Sequence, residues 1–133
     1  MKQLEEHPYF AAGLLGIFSL PFHLVLPENI SQAGAATILA MIAGIYIGFA
    51  VMDGRAKTLV VEGSVAILFS VFAAVALVLE PLLIPVGYIL HGFWDAVHHR
   101  SHVDTAMPHW YIPLCALYDI IAGFALWLIW WLV

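Results

Sequence analysis

The chain is short of cysteine, of basic residues and of charge altogether. Its one cysteine, Cys115, excludes an internal disulfide and any thiolate framework, so a metal held here would need nitrogen and oxygen ligands. Four Lys and Arg in 133 residues are too few to neutralise a phosphate backbone, which argues against nucleic-acid binding. Also missing are a phosphate-binding glycine loop, a Rossmann glycine pattern, a zinc-protease HExxH string and a Ser-His-Asp arrangement. Charged residues make up 10% of the chain against 64% hydrophobic, and the mean hydropathy is +1.00. That balance belongs to a protein that lives in a bilayer.

The apolar residues gather in five stretches, about 9–26, 33–51, 58–79, 82–99 and 111–133, each near the roughly 20 residues that cross a hydrocarbon core about 30 Å thick. The expected fold is therefore all-α, an integral membrane bundle of five helices forming one domain over residues 1–133. The fourth stretch begins among Pro81 and Pro85 and ends in polar residues, so the alternative is four spans plus a short or re-entrant helix. The leader of the first stretch carries Glu5 and Glu6 against Lys2, with no clean small-x-small cleavage site after the run, so this helix is expected to be retained. Lys2, Arg55, Lys57 and Arg100 all fall in alternate connections, whereas those around Pro27–Gln32 and Glu80–Pro85 hold no basic residue. Cytoplasmic loops collect Lys and Arg, which predicts a multi-pass protein of the cell membrane with its amino terminus inside and its carboxyl terminus outside.

Against this apolar background, Tyr88, His91, Asp95, His98 and His102 recur at steps of three and four, the spacing that lines one face of a helix. Ionisable groups are costly in hydrocarbon, so such a stripe faces a bundle interior or a wet cavity and marks a functional site by default. At 1.5 Å per residue from the cytoplasmic end near Arg100, Asp95 lies about 7 Å deep and His91 about 13 Å. Asp119 lies about 12 Å along the returning helix from Tyr111, level with both. Glu62, one turn into the third helix, joins the layer if that helix is a neighbour.

Three readings fit these residues. In the first, His91, Asp95, His98, His102, Asp119 and Glu62 supply ligands for zinc, iron or manganese, all of which accept imidazole with carboxylate. Such a metal could activate water or dioxygen on a lipid-like, hydrophobic small molecule entering between helices, with Tyr118 and Cys115 lining the pocket. In the second, Asp95 and Asp119 pair with histidines or with the Trp94 indole and lock helices together, in a non-catalytic module or a subunit of an oligomer or larger complex. In the third, the same groups relay protons or ions.

The string HGFWDAVHH, followed by LYDIIAG at the head of another hydrophobic helix, resembles a family of small, functionally uncharacterised microbial membrane proteins. These carry a His, Trp-Asp, His-His and later Tyr-Asp pattern. The resemblance covers Gly87 to Gly123 and implies a multi-pass fold and a role for His91, Asp95, His98, His99 and Asp119, but no activity. His98, His99 and His102 also superficially resemble one histidine box of membrane di-iron hydroxylases and desaturases. Those enzymes use roughly eight histidines from separate boxes, whereas this chain has seven, with His7 and His23 expected far from the cluster.

Other residues have plainer expectations. Ala36, Ala40, Gly44 and Gly48 form a small-residue ridge on the second helix, as do Ala66, Ser70 and Ala74 on the third, and both are read as packing surfaces. Pro21 should kink the first helix and free a carbonyl near His23. Trp127, Trp130 and Trp131 suit an interfacial belt, and His23 and Glu80 the same outer interface. His99 points off the stripe towards an interface, His102 and His109 suit a solvated loop, and Asp104 suits a turn. Tyr88 could donate a hydrogen bond to His91 or simply pack.

Overall fold

The computed structural model describes residues 5–99 and 105–132. Among them the fold is all-α, with no strand. The helices are α1 (Pro8–Ser19), α2 (Phe22–Val25), α3 (Glu28–Asp53), α4 (Ala56–Leu79), α5 (Ile84–His99) and α6 (Tyr111–Leu132), with a 3-10 turn at Pro81–Leu83 before α5. Four segments are long and apolar enough to cross a membrane: Pro8–Val25, Glu28–Asp53, Ala56–Leu79 and Tyr111–Leu132. The fourth apolar stretch instead folds as the 3-10 turn plus a 16-residue helix, about 24 Å long at 1.5 Å per residue.

Proline sets several of these boundaries. Pro8 opens α1 and Pro27 caps α3; Pro85 and Pro113 sit in first turns, where a missing N–H leaves no intrahelical bond unmade. Pro21 does more than kink the first stretch: α1 stops at Ser19, and the four-residue α2 resumes after a turn in which the His23 N–H bonds the Leu20 carbonyl at 3.0 Å. The α3–α4 turn is tight because Gly54 takes φ +77°, a left-handed conformation that needs no Cβ. Asp53 braces it by accepting from the Arg55 guanidinium at 2.6 and 2.7 Å.

Packing divides into two hairpins, α3 with α4 and α5 with α6, and α1 lies along α6. The short α5 is the hub, since it also touches α3 and α4. Its interior face runs through Ile84, Tyr88, His91, Asp95 and His98, all buried, so the helical period of the stripe holds. Its approach to α6 depends on Gly123: a Cβ there would stand 2.8 Å from the Pro85 carbonyl oxygen and 2.6 Å from Ile89.

The expected ridge on α3 is displaced. The buried line runs Ala35, Ala36, Leu39, Ala43, Tyr46 and Ala50, while a Cβ at Gly44 or Gly48 would meet nothing within 4 Å. On α4, Ala66 is buried with Ala73 and Ala76, but Ala74 is exposed. One apolar cluster gathers Ala35, Leu39, Ile84, Tyr88, Ala122 and Leu126; a second gathers Ala12, Tyr46, Tyr111, Leu114 and Cys115. Along α5 and α6 the polar layer lies between them, after Tyr88 and between Cys115 and Ala122.

Candidate metal centre

His91 and Asp95 stand one turn apart on α5, and Asp119 faces them from α6. All three are 0% exposed. The His91 Nδ1–H donates to Asp119 Oδ2 at 2.8 Å, and Asp95 Oδ1 lies 3.6 Å from the same nitrogen. Tyr46, from α3, donates its hydroxyl to Asp95 Oδ1 in a very short hydrogen bond. The expected reach between Asp119 and His91 is therefore met by direct contact.

One ligand atom from each of His91, Asp95 and Asp119 can be chosen so that all three lie within 4.8 Å of one another. Ligands about 2.1 Å from a tetrahedral cation stand roughly 3.4 Å apart, so an edge as wide as 4.8 Å would have to close by about 1.4 Å on binding. Each residue also keeps one buried polar atom without a hydrogen-bond partner: His91 Nε2, Asp95 Oδ2 and Asp119 Oδ1. Buried polar atoms are almost always paired, and two carboxylates facing a single imidazole leave negative charge in excess. The described Lys and Arg, Arg55 and Lys57, stand in the turn between α3 and α4, where Arg55 is paired with Asp53. One histidine with two carboxylates is a donor set that zinc, iron and manganese accept.

Glu62 and His98 form a separate group. His98 Nε2 lies 2.8 Å from Glu62 Oε1, and its Nδ1–H donates to the Trp94 carbonyl at 3.0 Å. The Thr105 hydroxyl donates to the same Glu62 oxygen at 2.6 Å, leaving Glu62 Oε2 buried without a partner. Glu62 was expected to join the layer of His91, Asp95 and Asp119 but pairs with His98 instead. Tyr46 joins the two, its ring 5.6 Å from the His91 ring and 4.9 Å from that of His98.

Several expectations are corrected. Tyr88 donates to the Ala35 carbonyl at 2.8 Å and not to His91, because its ring reaches across to α3. The Trp94 indole N–H has no partner, so it takes no part in locking Asp95 or Asp119. Trp127 and Trp131 are exposed and stack on each other, whereas the Trp130 N–H is drawn inward to Ser31 Oγ at 2.9 Å. His23 is half-buried and bonds the same Ser31 oxygen at 2.8 Å. His109 is exposed, whereas His102 and Asp104 lie outside the described residues and the His99 side chain is likewise undescribed.

A groove of about 330 Å³ opens on the outer surface between α5 and α6, lined by Gly92, Phe93, Ala96, Ile112, Ala116 and Ile120 among others. This groove does not reach the three buried residues, and neither Cys115 nor Tyr118 lines it. Cys115 packs with Tyr46 and Tyr111, and the Tyr118 hydroxyl bonds Ser19 on α1 at 3.2 Å.

Two contributors went unseen in the sequence. Tyr46 follows Leu39 and Ala43 at helical spacing, so its face could have been read, but a tyrosine in an apolar run signals packing first. Thr105 sits in a connection, where no periodicity points to a partner. No family model matches the chain, and neither a curated protein nor a solved structure matches it.

Proposed function

We propose that this is a multi-pass membrane protein that binds a divalent cation of the zinc, iron or manganese class, with His91, Asp95 and Asp119 as protein ligands. The observation that carries the reading is the convergence of three fully buried donors within 4.8 Å, each with a polar atom left unpaired. A cation offsets the charge of the two carboxylates where water is excluded, and such a site gains most when the surrounding residues position its ligands. The Tyr46 hydroxyl on Asp95 acts in that way. The apolar groove on the outer surface favours contact with acyl chains over chemistry on them, so the reading includes binding and not catalysis.

The orientation proposed for the chain is amino terminus inside and carboxyl terminus outside, from the placement of Lys2, Arg55, Lys57 and Arg100. Reporter fusions at Gln32, Lys57 and Val133 test it, and a cytoplasmic signal at Val133 would replace five crossings with four. Elemental analysis of the gently extracted protein tests the cation. A His91→Ala/Asp95→Asn protein that still folds should hold one equivalent fewer than the parent protein. No stoichiometric metal in the parent protein would transfer the argument to a second reading, in which the 2.8 Å His91–Asp119 bond serves only to join α5 to α6.

A further inference from the structure

The described residues hold a second group of converging donors, and hydrogen-bond accounting gives it a particular character. His98 Nδ1 faces the Trp94 carbonyl, which only accepts, so the proton of a neutral imidazole belongs on that nitrogen. The Nε2 lone pair then points at Glu62 Oε1, another acceptor, 2.8 Å away. Two acceptors at that distance need a positive species between them. A proton fills that place in the closed pair, and a metal cation can fill it instead. An imidazole whose Nδ1 is tied to a backbone carbonyl is also the usual arrangement of a histidine that ligates through Nε2.

The remaining donors agree. Thr105 Oγ1 lies 2.6 Å from Glu62 Oε1, and Glu62 Oε2 is buried and unpaired on a residue that is itself 0% exposed. Ligands about 2.1 Å from a tetrahedral cation stand roughly 3.4 Å apart, so Nε2 and Oε1 need to separate by well under an ångström. Position matters too. His98 is one residue from the end of α5, Thr105 is in the connection beyond it, and the next backbone N–H, of Ala106, bonds Asp53 at the end of α3 at 2.8 Å. Between this group and the fully enclosed His91, Asp95 and Asp119 stands the Tyr46 ring, packed against both imidazoles.

We infer that Glu62, His98 and Thr105 form a second, outer cation-binding position in series with the inner one, through which a divalent cation passes on its way to the enclosed ligands. The existence of the outer position does not depend on the inner assignment, whereas its role as an entry station rests on the reading proposed above. Equilibrium dialysis of the purified full chain against Zn²⁺, followed by elemental analysis, tests both. The parent protein should hold two equivalents. Glu62→Gln keeps the size of the side chain and an acceptor for Thr105, and should hold one, loading at least tenfold more slowly; His98→Gln, which removes the ligand from the other side, should behave alike. Asp95→Asn/Asp119→Asn should also hold one equivalent, and adding Glu62→Gln should abolish it. A parent protein with one equivalent that Glu62→Gln neither removes nor slows would overturn the outer position while leaving the inner one standing. One equivalent that survives Asp95→Asn/Asp119→Asn and disappears with Glu62→Gln would overturn the inner assignment and the series, and no binding by the parent protein would overturn both.

Discussion

Two polar clusters of this protein, each containing a histidine, end in opposite states. At Ser31, one hydroxyl oxygen receives the Trp130 indole at 2.9 Å and pairs with His23 at 2.8 Å, joining α2, α3 and α6 with none of these side chains left buried and unpaired. At His91, Asp95 and Asp119, three residues from two helices carry more acceptors than the protein supplies with donors, and one atom on each is left over. A cluster that only fastens helices has its donors and acceptors matched, because every surplus polar atom is a cost in a medium without water. A cluster with a surplus of acceptors has room for a proton or a cation, as the proposed function requires. That contrast separates a helix lock from a ligand site more sharply than the identity of the residues.

The strongest way to break the comparison is to remove charge from the surplus cluster without changing its shape. Asp119→Asn and Asp95→Asn should each weaken zinc or manganese binding by more than about 100-fold, since a carboxylate ligand is replaced by a neutral amide while the packing is kept. Metal content and circular dichroism on the same sample check this, and full occupancy in a well-folded variant would defeat the ligand assignment. Tyr46→Phe keeps the ring between the two imidazoles and deletes only the hydrogen bond to Asp95. It should weaken binding by about 10–100-fold, the usual effect of losing a partner that orients a ligand, and competition with a colorimetric chelator reads it.

The matched cluster should respond in the other sense. Ser31→Ala removes the oxygen shared by His23 and Trp130, and should cost about 1 kcal/mol of thermal or denaturant stability in detergent while metal content stays constant. A change in occupancy would show that the two ends of the bundle are coupled. Gly48→Ala, on the open side of α3, should move stability by less than about 0.5 kcal/mol; a larger loss would reveal a contact that this face makes with another molecule.

What could be read from the sequence follows the same physics. The stripe on α5 was legible because an α-helix repeats every 3.6 residues whatever surrounds it, and the depth of Asp119 followed from a fixed rise per residue. Depth is only one coordinate. Glu62 was expected to join the layer of the inner group, yet it meets His98, about one turn further along α5, because the placement of α4 depends on packing that no single helix encodes. The ridge on α3 failed for a related reason: alanine and glycine are tolerated on the lipid side as readily as at a contact, so Gly44 and Gly48 carried no information about facing. Pro21 was legible as an interruption, and the structure makes it a full break, with α1 ending at Ser19 and α2 starting at Phe22.

The brevity of α5 has a consequence for the lipid around it. Four segments are long enough to match a bilayer, but the described part of the helix that carries the stripe, Ile84–His99, is about 24 Å long against a hydrocarbon core of about 30 Å. A short apolar element is accommodated by thinning the surrounding leaflet or by neighbours that shield its ends. Here α3, α4 and α6 cover most of its circumference, and its exposed large apolar side chains form a narrow seam of Val86, Leu90 and Phe93. Acyl chains at this face would meet α5 along a cleft between longer helices, and membrane thickness would become a mechanical load on the helix that carries His91 and Asp95 opposite Asp119.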